Sequence, residues 1–333
     1  MATTQVHNKR RQKIVADACR EKLPSLTIAK RLHAQHPKLF ASVEVARSAV
    51  RRLRGNNGGA HRKEVVNKIA FRPSGSQSDR PPLPKSLAKK REPYILEARR
   101  VLILSDTHVP FHDRDAIEAA LRFGEAFGPD AILWNGDVLD YEALSTYDRP
   151  PDGPKPDQEL LAARQLFAAV HHRFTGVKQV FKLGNHEARW NRYFWNRAPE
   201  LYGLLKDTWQ DHCGIGEFGI DVVDDKRVVM SGLLPIFHGH EVLKSSVQPA
   251  KALITKLGTS GHCSHFHRTS TFVKKPFGKT PIKGSSQACL CHQSPDFMPV
   301  NEWSLGFATN EVAKDGTYNL KLYEIIDGKV TSA

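Results

Sequence analysis

Apolar residues recur at helical spacing near the start of the chain. Ile14, Val15, Ala18 and Cys19 share one face of a helix predicted over residues 10–22. Leu26, Ile28, Ala29 and Leu32 supply a second stripe over 26–36, with Pro24-Ser25 offering the N-cap. A third helix is predicted after Ser42, over 43–53. Val45, Ala46, Ala49 and Val50 would face inward there, with Arg47, Arg51, Arg52 and Arg54 on the other side. From 55 to 91 the pattern dissolves into Gly, Ser, Pro, Lys and Arg, including Pro81-Pro82-Leu83-Pro84, which reads as a basic, partly extended linker.

Residue 99 onward changes character. The run Val101-Leu102-Ile103-Leu104 suits a buried strand, a helix follows over 115–127, and Ala131-Ile132-Leu133-Trp134 is a second strand. A long helix over 156–173 leads to a third strand over 179–183. Later strands are predicted over 227–230, 234–238, 272–273 and 318–326. Strands alternating with helices imply a parallel sheet with helical crossovers, and function in such sheets gathers just past the strand C-termini.

Composition sharpens the division. Residues 1–100 hold 24 Lys/Arg against 7 Asp/Glu, whereas the remaining 233 hold 25 against 28. The whole excess of the +14 net charge therefore lies in the first third. Such a region expects a polyanionic partner, most simply nucleic acid. No apolar run reaches the length of a membrane span, and the polar N-terminus has no hydrophobic core of a secretory signal. Five cysteines at irregular spacing suit reduced thiols better than a disulfide framework. Cys289-Leu290-Cys291-His292 is metal-like but lacks a second half, so buried thiols are the plainer reading. A cytoplasmic location follows as the expectation.

Five polar clusters each follow an apolar stretch. They are Asp106-Thr107-His108, Gly136-Asp137-Val138-Leu139-Asp140, Gly184-Asn185-His186-Glu187, His238-Gly239-His240, and Gly261-His262-Cys263-Ser264-His265-Phe266-His267-Arg268. Carboxylate, imidazole and amide oxygen together suit manganese, iron, zinc or nickel. Two such ions can clamp a phosphoryl group and activate a water. Each cluster alone is weak, but five in this order rarely arise by chance.

The order D-x-H, G-D-x-x-D, G-N-H-E, H-G-H, H-x-H resembles the calcineurin-like metallophosphoesterase superfamily over about residues 99–330. The resemblance implies an α/β fold, a calcineurin-like four-layer αββα sandwich, here preceded by a small all-α helical module. Residues 1–57 would be a basic, helix-turn-helix-like module, 58–98 a linker and 99–333 the metallophosphoesterase domain. It also implies two divalent metals, manganese first. One would take Asp106, His108 and His267, the other Asn185, His238 and His265, with Asp137 bridging. His186 would assist the leaving group or phosphate, and Asp140 would orient a ligand or His186. His262 remains an alternative to His265, and His240 to His238.

Protein phosphatases of this superfamily continue the second motif with Arg-Gly, which grips a phosphate, where this chain has Tyr141-Glu142. The opening Ser105-Asp106-Thr107-His108 looks instead like the nuclease and phosphodiesterase branches of bacteria, archaea and phages. The expectation is therefore a metal-dependent phosphoesterase cutting phosphodiester bonds, in nucleic acid first, through a dinuclear centre and a metal-activated water. Nucleic acid would be held through residues 1–100, in the cytoplasm of a bacterium or a phage-infected host. Phosphomonoester or cyclic-nucleotide hydrolysis is the alternative. Arg189, Arg192 and Arg197 follow the third motif at spacings that suit either a phosphate chain or a solvated helix face.

Overall fold

In a computed structural model of the protein, residues 2–21, 23–54, 83–147, 151–204 and 208–333 are described, without the side chains of 2–9. Most of the expected linker, 55–82, lies outside them. The chain divides into two compact units, Met1–Ala88 and Lys89–Ala333.

The first unit contains α1 (Ala2–Ala18), α2 (Ser25–Gln35) and α3 (Val43–Leu53). Val15, Cys19, Ile28, Ala29, Leu32, Phe40, Ala46 and Val50 meet in one small core. Two residues placed in the apolar stripes do not join it: Leu26 is 42% and Val45 39% exposed. Both point away from the helix faces on which Ile28, Ala29 and Leu32 of α2 and Ala46 and Val50 of α3 reach the core. Ser42 caps α3 by accepting from Val45 N at 3.2 Å. Ser25 is not the N-cap of α2, which falls on Pro24. Its Oγ accepts instead from Arg54 Nη1 at 2.9 Å, while Arg54 Nη2 donates to Leu23 O at 2.9 Å. Arg54 thus ties the end of α3 to the start of α2 and is not part of a free basic face.

The second unit is built on two sheets. Its elements are β1 (Tyr94–Ile95), β2 (Arg100–Leu104), α4 (Arg114–Phe127), β3 (Ala131–Asn135), α5 (Pro156–Arg173), β4 (Lys178–Lys182), α6 (Glu187–Arg197) and the single turn α7 (Trp209–His212). Then follow β5 (Ile220–Val223), β6 (Val229–Ser231), β7 (Leu234–Ile236), α8 (Pro249–Leu257), β8 (Gly261–Cys263), β9 (Ser270–Lys274), β10 (Ile282–Ser286), β11 (Gly306–Val312), β12 (Tyr318–Ile326) and β13 (Lys329–Ser332). One sheet runs β13-β12-β11-β2-β3-β4-β5 and the other β1-β6-β7-β8-β10-β9. β2, β3, β4 and β5 are parallel, as the strand-helix alternation requires.

Two-residue alternation decides which layer each side chain enters. Leu102, Leu104, Ile132, Trp134 and Phe181 join the core under α4 and α5. Val101, Ile103, Ala131, Leu133 and Val180 point the other way and meet Val229, Leu234 and Ile236 of the second sheet. α8 covers the far side of that sheet, where Ala250 and Ile254 press on Gly284 too closely for any Cβ. The result is the expected four-layer αββα sandwich. β1 lies ahead of the boundary expected at residue 99, with Leu96 beside it in the inter-sheet core. Among the described residues no helix is long and apolar enough to cross a membrane.

Candidate metal centre

All five clusters reach one place because each follows the C-terminus of a strand in one of the two packed sheets. Asp106 and His108 follow β2, Asp137 follows β3, Asn185 and His186 follow β4, His238 follows β7, and His265 and His267 follow β8. The chain turns sharply there. Asp106, His108, Asp137, His265 and His267 take left-handed φ values of 53°, 45°, 51°, 71° and 57°. Each such residue costs about 1–3 kcal/mol, and they persist only where surrounding bonds over-determine them.

Those bonds are present. Asp106 N donates to Gly136 O at 3.0 Å and His108 N to Asp137 O at 3.1 Å. Glu187, the last residue of the third motif, is buried and accepts four backbone N–H groups. Its Oε1 takes Val138 N (2.8 Å) and Leu139 N (3.1 Å); its Oε2 takes Asp137 N (3.0 Å) and Gly184 N (2.7 Å). Burial first, then the Asp137 charge, lifts its carboxyl to about 7 against the pull of those N–H groups. Glycine is required at two motif positions because partners occupy the Cβ space: the His238 ring beside Gly136, and the Asp137 carboxylate beside Gly184.

Asp137 is the hub. His238 Nε2 lies 3.0 Å from its Oδ2, and His265 Nδ1 and His186 Nε2 each 3.9 Å from the same oxygen. Its Oδ1 accepts from His186 N at 2.9 Å. On the other side His267 Nε2 is 3.2 Å from Asp106 Oδ1 and 3.2 Å from His108 Nε2. Asn185 contributes a buried Oδ1 with no partner.

Ring orientation is set from behind. His238 Nδ1 bonds Asn135 O at 2.7 Å and His108 Nδ1 bonds Asp140 Oδ1 at 2.8 Å, which turns both Nε2 atoms into the cluster. His186 Nδ1 bonds Asp140 O at 2.7 Å. Asp140 therefore holds both His108 and His186. The His238 loop has its own clamp: Glu241 accepts from His238 N and Gly239 N, and fully buried Lys182 reaches Glu241 Oε1 at 3.1 Å.

The residues fit cations. Asn185 Oδ1 is buried with no partner, and Asp106 Oδ1 and His238 Nε2 are buried without an aligned hydrogen bond, approached only as ion pairs by His267 at 3.2 Å and Asp137 at 3.0 Å. Burial pushes the Asp106 carboxyl up, yet His267 and then His238 outweigh it and hold it at about 2. Burial pushes the His238 ring down, but Asp137, then Asp106 and Glu241, lift it to about 10. A cluster whose carboxylates stay ionised while an imidazole gathers a proton wants positive charge.

Geometry separates the alternatives. His262 is buried with Nδ1 3.0 Å from Ser285 Oγ and Nε2 2.9 Å from Gln287 Oε1, so both nitrogens are spent on the second sheet. His240 faces Asp225 and Glu241. His265 and His238 face Asp137 instead. Arg189 enters the site, 3.1 Å from His186 Nε2 and donating to Asp140 O at 3.0 Å. Motif reading missed Glu241 and Lys182; it quoted Glu187 without a role and read Cys291 as a buried thiol, whereas its Sγ lies 3.9 Å from His267 Nδ1. All five cysteines are free and buried.

The gene 54 proteins of Mycobacterium phages L5 and D29 are relatives, 27% identical over 181 residues and 28% over 183. Each match covers 51% of this chain and 70% of the relative. Among solved structures, Vps29 of Cryptosporidium parvum is similar at 16% identity and TM-score 0.39, over 71% of this chain and 96% of that one. The nuclease MPE of Pseudomonas putida is similar at 16% identity and TM-score 0.32, over 71% and 88%. Family membership rests on neither likeness. A family model, calcineurin-like phosphoesterase, matches residues 99–268, the stretch that carries every cluster around Asp137. With half the chain and the whole site inside that match, this protein belongs to the calcineurin-like phosphoesterases, metal-dependent hydrolases of phosphoester bonds.

Proposed function

We propose that the protein hydrolyses phosphodiester bonds in nucleic acid with two divalent cations, manganese first. Asp106, His108 and His267 would hold one, Asn185, His238 and His265 the other, and Asp137 both. The observation that carries this reading is the convergence of carboxylate, imidazole and amide groups on Asp137 from five loops, three of which each contribute a buried atom without an aligned hydrogen bond. Bound there, the cations would neutralise phosphoryl oxygens and make a water acidic enough to attack at neutral pH.

The chain's own groups do the rest. Asp140 O accepts from His186 Nδ1, which leaves Nε2 facing the hub and accepting from Arg189; only after taking up a proton there would His186 donate to a phosphoryl or leaving oxygen. Arg189 adds a fixed positive charge beside it. Residues 1–100 would supply salt-sensitive affinity for DNA or RNA, with α3 as the contacting helix of a helix-turn-helix-like module. Arg51 and Arg52 suit that role, being exposed, whereas Arg47 pairs with Glu44 at 3.6 Å.

Arg189 favours a second reading. No arginine stands directly after Asp140, but this one reaches His186 from α6 and could grip a terminal phosphate, as a monoesterase needs. Hydrolysis of end-labelled single- and double-stranded DNA with Mn²⁺, with EDTA and with Asp137→Asn tests the choice. Metal-dependent cutting absent from the variant supports the nuclease. Intact DNA alongside hydrolysis of a chromogenic monoester replaces it with the monoesterase.

A further inference from the structure

A groove of about 510 Å³ opens beside the metal centre, between residues 143–147 and one face of α6. Asn185 and Arg189 form its inner end; Arg192, Tyr193 and Arg197 continue along the helix, and Tyr147 lines the opposite wall. Positions 189, 193 and 197 are one turn apart and 192 lies beside them, so helical periodicity gathers them on one side. At about 1.5 Å per residue this row is about 12 Å long, which exceeds the reach of one phosphate group.

Charge and surface chemistry agree along that length. Among the described residues three arginines line the groove and no carboxylate does. Arg192 Nη2 is anchored to Asn185 O at 2.6 Å, which fixes its guanidinium beside the centre with further N–H groups to give. Arg197 has no hydrogen-bond or ion-pair partner among the described residues. Tyr193 is 40% and Tyr147 80% exposed, large apolar faces presented to solvent at the edge of a cationic channel. A basic track with interleaved aromatic rings is what an unpaired nucleic-acid strand requires, phosphates on the arginines and base faces on the rings.

We propose that this groove binds single-stranded nucleic acid, seating the nucleotides next to the phosphodiester at the metal centre. The inference rests on the nucleic-acid reading given above and narrows it to a strand whose bases are unstacked. Duplex would leave both tyrosines idle, because paired bases keep their faces covered and offer only edges and phosphates.

The test uses the full-length, Mn²⁺-loaded protein with three substrates: a short single-stranded oligonucleotide, its duplex, and a small chromogenic phosphodiester too short to reach along α6. The quantity read is the ratio of kcat/KM for oligonucleotide over small diester, in which loss of folded protein cancels. Tyr193→Ala combined with Arg197→Ala should lower that ratio about tenfold through KM, and Tyr193→Phe, which keeps the ring, should hold it. An iodouracil-labelled strand irradiated with the metal-free, unmutated protein should leave adducts within residues 143–147 or 189–197. An unchanged ratio, adducts confined to other segments, or a wild-type preference for duplex overturns the groove while leaving a nuclease. Turnover of the small diester with no cutting of any oligonucleotide overturns the nucleic-acid reading itself.

Discussion

Ionic groups are used in opposite ways by the two units. In the Lys89–Ala333 unit the informative ones are buried and individually partnered: Glu187 by four backbone N–H groups, Lys182 by Glu241 and by Asp225 O, Asp140 by two histidines. In the Met1–Ala88 unit the core is eight small or apolar residues, and charge lies around it. A reacting phosphate needs charges fixed at points, so that unit accepts strained loops and buried ions to fix them. Holding a polyanion, the role proposed for the first unit, would need only a field, which exposed arginines supply without defined geometry. The two kinds of charge should therefore fail differently when removed.

The sharpest break is at the hub. Asp137→Asn keeps an oxygen able to accept from His186 N but removes the charge shared between the two ligand groups. Phosphoester hydrolysis should fall by about 10³-fold or more, while DNA affinity in the absence of metal stays near wild type. Steady-state rates beside an anisotropy titration would show it. Equal loss of both would mean the two kinds of charge are not separable.

Next comes the carboxylate behind the hub. Glu187→Ala leaves four buried N–H groups without their acceptor and frees the strained Asp137 loop and the Gly184 turn. The expected loss is about 3 kcal/mol or more of stability, read by chemical denaturation, with activity lost in the remaining folded protein. A melting curve equal to wild type would show that other bonds alone hold the left-handed loops.

His262 sharpens the comparison from within the second sheet. Burial pushes its ring down to about 4, with Gln287 opposing, against an ordinary value of 6.5. The folded state therefore refuses a proton that the unfolded chain accepts. Its contribution is complete above about pH 6.5 and is lost as pH falls toward 4, a difference of about 3 kcal/mol. The melting temperature should drop over that window, and His262→Asn should flatten the drop even though it starts from a lower value. A variant with the wild-type slope would place the acid sensitivity elsewhere.

These buried supports mark where sequence reading stopped. The clusters were legible because strand, left-handed turn and ligand are adjacent in the chain, and the parallel order of β2, β3 and β4 followed from alternation with helices. Glu187 and Glu241 were not, since their partners are backbone N–H groups whose positions only the folded loops define. β8 and β10, Gly-His-Cys and Ile-Lys-Gly-Ser-Ser, carry no apolar alternation. They are strands because they pair with each other and because α8 lies against Gly284. α8 itself went unread: its apolar face, Ala250, Leu253 and Ile254, is only one turn and a half long. Arg189 was named among three arginines, but which of them enters the site depends on where α6 starts, immediately after His186.

The smallest effect should come from the diffuse charges. Arg51 and Arg52 lie in the last turn of α3 and are exposed, whereas Arg54 is spent on Ser25 and Leu23 O. Replacing both by alanine removes two phosphate contacts at most, and Ala46 and Val50 keep α3 in its core. Each lost contact lowers the slope of log K against log salt by about 0.9 on duplex and weakens binding modestly. Affinity for DNA should thus fall by about tenfold at low salt and less at high salt, with no change in melting temperature or in turnover of a small diester. Arg54→Ala provides the contrast, since it should lower stability while altering the salt slope little. If Arg51 and Arg52 changed stability and Arg54 changed the slope, the assignment of free and structural arginines in this unit would be reversed.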